Sequence, residues 1–369
     1  DIDLSAYYWS PIGASLNPIT TVAGNIFAGH YDGGGYTISG LKTLNGPSFE
    51  YANQALFGLF GAANYPASIS NVILENTNIT GRMTVAGLVG TVINSDAGNT
   101  ATISNCHHYG NLYLGNYEAA NNVGGIVGIN FDVAGNLVLE NCSNAGNIDV
   151  ANEQANAGGV VGHWTGNLSA TNIQSFVNIT GGQNVGAFAG ALNLSAYLSA
   201  DKTVTVETAL LTGTLSGTNV GGFAGSIETQ TTATTNTVTV SRVGYEVDII
   251  SATTAGVIAP SISGSNISFA NSYAIIDASQ TSISQFITQA EGMTQDSSLY
   301  YIETASGENR YYAGNDFSDF VWVDDSPCPI MADFVWMGED LLRIYYETYG
   351  EGYMTNLITS SGSGWQAIA

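Results

Sequence analysis

The sequence predicts an all-β chain: a parallel β-helix, or right-handed β-solenoid, of about seven rungs with N- and C-terminal caps. Glycine-punctuated strings recur as LFGLFG at 56–61, VAGLVG at 85–90, VGGIVG at 123–128, AGGVVG at 157–162, VGAFAG at 185–190 and VGGFAG at 220–225, with a degraded AGVIAP at 255–260. The closing residues Gly61, Gly90, Gly128, Gly162, Gly190 and Gly225 lie 28 to 38 residues apart. Self-similarity on that scale marks a stacked array in which no single unit buries its own apolar face. Between the strings, apolar and small polar residues alternate, as in Thr203-Val204-Thr205-Val206. That is the two-residue period of a strand, and nothing sustains the 3.6-residue period of a helix.

Taken in order, residues 1–55 precede the first string and read as an N-terminal entry cap, and residues 56–287 hold the repeats. Each string alternates with a second element: ISNVILENTNITG at 69–81, ISNCHHYGNLYLG at 103–115, LENCSNAGNIDVA at 139–151 and TNIQSFVNITG at 171–181. Asn71, Asn105, Asn141 and Asn172 hold one equivalent position, and Asn78, Asn111, Asn147 and Asn178 a second; Thr208 and Arg242 replace the first Asn in later copies. Stacked coil on coil, equivalent strands pair in parallel about 4.8 Å apart. The glycines are then expected at corners, supplying positive φ and close backbone approach; Asn tolerates left-handed conformations, and the aligned Asn residues are expected as amide ladders. Residues 288–369 are rich in acids and aromatics, including Tyr300, Tyr301, Phe320 and Trp322, and read as a C-terminal cap covering the open end of the coil. Within them, Leu341 to Ile358 suits a strand pair of the cap or a strand donated to a neighbouring molecule.

Composition narrows the function classes. Six basic residues stand against thirty acids, for a formal charge of −24, so nucleic acid is not expected as a partner. From Gln154 to Ala200 there is no charged residue, but Asn, Ser, Thr and Gln interrupt the stretch throughout. A membrane-spanning helix is therefore not expected. The start at Asp1, without Met or an apolar leader, suits a processed or trimmed chain. Three cysteines, Cys106, Cys142 and Cys328, do not make a disulfide framework. Sequons at Asn78, Asn167, Asn178, Asn193 and Asn266 occur at about the frequency such a composition produces by chance.

The VGGIVG string followed by an Ile-x-Asn-Cys-x-Asn-x-Gly-Asn-Ile element resembles the GLUG-motif repeats of bacterial surface and adhesin-like proteins. Trp9-Ser10-Pro11-Ile12-Gly13 and Phe27-Ala28-Gly29-His30-Tyr31-Asp32-Gly33-Gly34-Gly35-Tyr36-Thr37-Ile38-Ser39-Gly40-Leu41 resemble the segment that opens such arrays, and Tyr300-Tyr301 and the later Phe320-Val321-Trp322, with Pro327 and Pro329, the segment that closes them. The resemblance implies a parallel β-helix and brings no catalytic residues with it. It covers roughly residues 7 to 335.

A uronate lyase needs basic residues for the substrate carboxylate, which Lys42, Arg82, Lys202, Arg242, Arg310 and Arg343 are too scattered to supply. A glycosidase needs two carboxylates roughly 5 to 10 Å apart. Asp32, Asp96, Asp132, Asp149 and Asp248 fall in different rungs, and Asp324-Asp325 and Glu339-Asp340 in the terminal segment. Cys106-His107-His108 holds zinc-type ligands, but neighbours on a strand point to opposite faces. Cys106 and Cys142 read first as buried free thiols, with a disulfide or metal pair as alternatives. Gly33-Gly34-Gly35 lacks the Lys-Ser/Thr of a phosphate loop and reads as a turn. Thr203, Thr205, Thr237 and Thr239 read as outward residues of two strands, with an ice-binding hydroxyl array as the sharper alternative.

No catalytic, cofactor-binding or metal residue is therefore expected. The expected protein is a secreted, cell-surface solenoid, an adhesin or structural component, non-enzymatic and without cofactors. Its expected partners are a surface glycan, a host or matrix protein, or copies of itself. A subunit of an extracellular filament joined through its terminal segments is one alternative; a carbohydrate-active β-helix enzyme is another.

Overall fold

A computed structural model describes residues 1–13, 26–43, 56–64, 66–93, 99–116, 121–130, 135–195, 201–229, 235–270, 272–277, 293–295, 304–305, 308–313, 320–322 and 329–331. All regular structure among them is β-strand, stacked as a parallel solenoid. Six long strands, Ser68–Gly81, Thr100–Leu114, Asn136–Val150, Asn167–Thr180, Thr203–Gly221 and Thr237–Gly256, define about six turns. In the third, the long strand is followed by Asn156–Gly158 and Val161–Trp164, so that the glycine string carries the chain from one sheet to the other. The seventh rung expected from AGVIAP is reduced on the second sheet to Ile262–Ser263.

Register is kept from coil to coil, so equivalent residues stack. Ile69, Ile103, Leu139, Ala170, Val206 and Val240 form one continuous buried column. Beside it, Phe188 lies flat on Phe223 with ring centroids 4.9 Å apart. Because alternate side chains of a strand point to opposite faces, the apolar half of the alternation fills this interior and the small polar half faces outward.

The glycine strings lie at a corner between the two sheets, but the positive φ expected of them is found elsewhere. Among the described residues no glycine of the six strings has positive φ; at one equivalent position of each long strand stands a left-handed residue, Asn71 (55°), Asn105 (51°), Asn141 (52°), Asn172 (55°), Thr208 (62°) or Arg242 (56°), with Asn76 (51°) a further one in Ser68–Gly81 and Asn266 (60°) before Ile267–Ala270. Asn is one of the few side chains that visits this region at small cost. The string glycines serve close approach instead: a Cβ on Gly125 would overlap the Gly159 carbonyl oxygen and the Asn144 carboxamide.

The corner Asn residues form the expected ladder. Asn172 Nδ2 donates to Asn141 Oδ1 (3.0 Å), Asn141 to Asn105 (3.1 Å), Asn105 to Asn71 (3.1 Å) and Asn71 to the Asp32 carboxylate (2.9 Å). A second ladder joins Asn178 to Asn147 (3.2 Å), and Thr214 caps it by donating Oγ1 to Asn178 (2.8 Å).

At the N-terminal end, His30–Asp32 and Thr37–Ser39 pair in parallel with Ser68–Gly81, and Ile2–Asp3 pairs with Thr37–Ser39. At the other end, Ile267–Ala270 and Ser272–Asp277 continue the parallel stack, and Glu308–Ala313 then pairs antiparallel with Ser272–Asp277. A strand running the opposite way interrupts the open template that a solenoid end otherwise presents. Leu341 to Ile358 and the boundary at 287/288 lie outside the described residues.

The ladder stops at Thr208, which is fully buried, β-branched at φ 62° and without a partner for its Oγ1. Thr208→Asn relieves the left-handed strain and donates to Asn172. It is expected to raise the unfolding free energy by about 1–2 kcal/mol, read from a denaturant midpoint at unchanged m-value.

Candidate functional site

The interior of the coil holds a line of polar side chains, and one candidate residue of the sequence, His108, belongs to it. His108, Asn144 and Ser175 are equivalent residues of three successive long strands, all pointing inward and buried. Gly159 O can only accept, so the amide nitrogen of Asn144 faces it at 2.9 Å and Asn144 Oδ1 faces His108 Nδ1 at 2.6 Å. His108 Nδ1 therefore carries the proton, and Nε2 accepts from Thr77 Oγ1 at 2.6 Å. Ser175 Oγ donates to Ala187 O at 2.7 Å. Each partner carbonyl belongs to a glycine string, so these bonds tie the long strands to the corner opposite.

Burial pushes the His108 imidazole down to about 4, against the smaller opposing effect of the Asn144 hydrogen bond. The ring is neutral through the physiological range and both its nitrogens are engaged. A general base needs a free nitrogen within reach of substrate; His108 offers neither nitrogen nor access. His163, on the second sheet, is also pushed down to about 4 by desolvation.

The Cys106-His107-His108 triplet alternates as the strand period requires: Cys106 and His108 are buried inside, and His107 lies on the outer face with Nδ1 2.8 Å from Ser143 Oγ. Cys106 and Cys142 are free, buried and on adjacent coils. Desolvation raises the Cys142 thiol to about 12 and holds the Cys106 thiol well above its ordinary value. Each thiol donates to backbone oxygens, Cys106 to Ser104 O (3.2 Å) and Cys142 to Glu140 O (3.3 Å). No group of three or more metal-type ligands occurs among the described residues. Cys328 lies outside them.

The carboxylates do not converge either. Asp32 is the terminal acceptor of the Asn ladder, and the Asn71 carboxamide, then the Gly34 amide, lower its pKa. Asp149 and Asp248 are exposed on the third and sixth long strands, roughly 14 Å apart along the axis at 4.8 Å per coil. Asp96, Asp132, Asp324, Asp325, Glu339 and Asp340 lie outside the described residues. Gly33-Gly34-Gly35 closes a turn in which Tyr36 N donates to Gly33 O. Thr203 and Thr205 stand in register with Thr237 and Thr239, and the Thr205–Thr239 column continues through Ser169 and Ser268.

Two features escape sequence reasoning. Asn122, Asn156, Asn184 and Asn219 form a third ladder with steps of 2.9, 2.8 and 2.9 Å, capped by Thr254 Oγ1 at 2.6 Å. The signal was present, since each Asn immediately precedes its glycine string. Lys202 is fully buried, its ammonium donating to Leu194 O at 2.8 Å, and desolvation lowers it to about 8. Nothing in its neighbouring residues announces that.

No protein-family model matches the chain, and no solved structure matches it. Over 137 residues, 36% of its length, it is 34% identical to halomucin of Haloquadratum walsbyi. The match spans 1% of that protein's length.

The buried imidazole makes stability pH-dependent. Above the ordinary 6.5 both folded and unfolded chains hold it neutral; between 6.5 and about 4 only the unfolded chain takes up the proton. Stability contributed by neutral His108 is therefore full above pH 6.5 and is lost as pH falls to 4, by about 3 kcal/mol. His108→Gln keeps polar contacts without a titrating ring. Its denaturant-derived stability is expected to fall less steeply than that of the parent over pH 6.5 to 4; parallel curves would contradict this assignment.

Proposed function

We propose that the chain is a non-enzymatic segment of an extracellular surface protein, built on GLUG-type repeats, whose role is structural or adhesive display. The observation that carries this reading is the employment of its reactive groups. The imidazole of His108 and the thiols of Cys106 and Cys142 are sealed in the coil as ties or filler, and Asp32 ends a ladder. What remains outward on the long strands is largely small and polar, as at Ser169, Thr205 and Thr239, on a scaffold of about six coils. The partial likeness to halomucin, whose name places it with the mucins, supports a location outside the cell. In this reading the partners are surface glycans, matrix proteins or further copies of the chain, held by loops between the strands.

Immunolabelling of the source cells tests the location. Antibody raised against the folded chain is expected to label intact and permeabilised cells equally; labelling only after permeabilisation overturns the reading.

A further inference from the structure

The six Asn-x-Ser/Thr triplets of the sequence are not equivalent once folded; at Asn141-Cys142-Ser143 the Asn is a corner residue whose Nδ2 is spent on Asn105 Oδ1. Along a strand, residues two apart share a face, so an Asn-x-Ser/Thr triplet presents carboxamide and hydroxyl on one side while the middle residue turns inward. That is the arrangement at Asn78-Ile79-Thr80 within Ser68–Gly81, whereas Asn266 ends the turn before the strand that holds Ile267 and Ser268; in both triplets the middle Ile is buried and the Asn exposed. Neither Asn78 nor Asn266 makes a side-chain hydrogen bond among the described residues. Asn178 is exposed too, but its Nδ2 is spent on Asn147 Oδ1 and its Oδ1 accepts from Thr214 N (3.2 Å) and Oγ1 (2.8 Å). A sugar on that nitrogen would stand between two rungs of the ladder. Asn167 and Asn193 are only partly exposed and accept from Thr203 N (2.8 Å) and Ser195 Oγ (2.8 Å).

We infer that Asn78 and Asn266 are attachment sites for N-linked glycans and that Asn178 stays bare. The inference rests on the extracellular reading above, because the glycan donor is a lipid-phosphate-linked saccharide met during export. Nδ2 attacks the anomeric carbon of that donor. The carbon–nitrogen bond forms as the bond from the anomeric carbon to the phosphate oxygen breaks, the lipid phosphate leaves with that electron pair, and the amide proton passes to a carboxylate of the transferase. The sequon hydroxyl serves recognition by the transferase. Asn266 has a second role, since its φ of 60° suits Asn at the turn before Ile267–Ala270. Removing Asn266 itself would therefore mix strain with loss of the acceptor, and Ser268 is the cleaner residue to change.

The test is glycopeptide mass mapping of the full chain, fused to a cleavable leader and secreted by a cell that performs N-glycosylation. Glycan on Asn78 and Asn266 with bare Asn178 is expected in the folded, secreted protein. Ser268→Ala and Asn78→Gln are each expected to remove one glycan while Ser268→Thr retains it. Bare Asn78 and Asn266 on chain that has passed through the export pathway, or glycan on Asn178 in folded protein, overturns the inference. The two readings fail separately: native chain found only inside cells defeats the surface reading and leaves the mapped sites standing, whereas bare sites on secreted chain defeat this inference alone.

Discussion

Everything in the coil depends on bending one strand at the same place in every turn. The bend needs a left-handed residue, which costs an ordinary side chain roughly 1–2 kcal/mol. It also leaves a polar group at a fixed height, about 4.8 Å from its equivalent in the next turn. Asn meets both demands, and its carboxamide bonds to the coil before and the coil after. All amides in the ladder point the same way, toward Asp32, so a charged acceptor terminates a chain of aligned dipoles. Where Asn is absent, the fold keeps the bend by other means. Thr208 holds it with no partner for its hydroxyl, and Arg242 holds it while its guanidinium pairs with Glu207 of the preceding coil.

The interior shows how a repeat tolerates polar residues. His108, Asn144 and Ser175 replace the Leu74 of an earlier coil and the Leu211 of a later one at a single inward position. Their donors and acceptors reach one another, the Thr77 hydroxyl or the carbonyls of the glycine strings. The absence of a side chain at positions such as Gly125 is what lets a long strand approach that corner closely enough for such a bond. Polar interior and glycine string are thus two halves of one contact, and buried polar groups of this kind are retained only when satisfied.

Much of this was legible in the residues. The strand period, the stacking and the first two Asn positions follow from alternation and from repeats 28 to 38 residues long. Only the positive φ expected of the string glycines was misplaced, because glycine is the default left-handed residue; here the strings recur through crowding rather than φ, and the left-handed bend falls on Asn, which tolerates it. The third ladder, from Asn122 to Asn219, hid in plain view one residue ahead of each string. The inward-facing histidine was readable as opposite to His107 from the strand period, but its partners Thr77 and Asn144 lie 31 and 36 residues away in sequence, and only the register of stacked coils brings them together. Lys202 donates to Leu194 only eight residues before it, and nothing in the residues around it announces its burial.

The claim that amide ladders couple one coil to the next is tested most directly by a double-mutant cycle on Asn105→Gly and Asn141→Gly. Glycine keeps the left-handed bend, so the pair isolates the hydrogen bond between the two carboxamides from the strain of the corner. Unfolding free energies of the parent, the two single variants and the double variant are predicted to give a coupling of about 0.5–1.5 kcal/mol. Strict additivity, with the double variant losing the sum of the two single losses, would contradict the account.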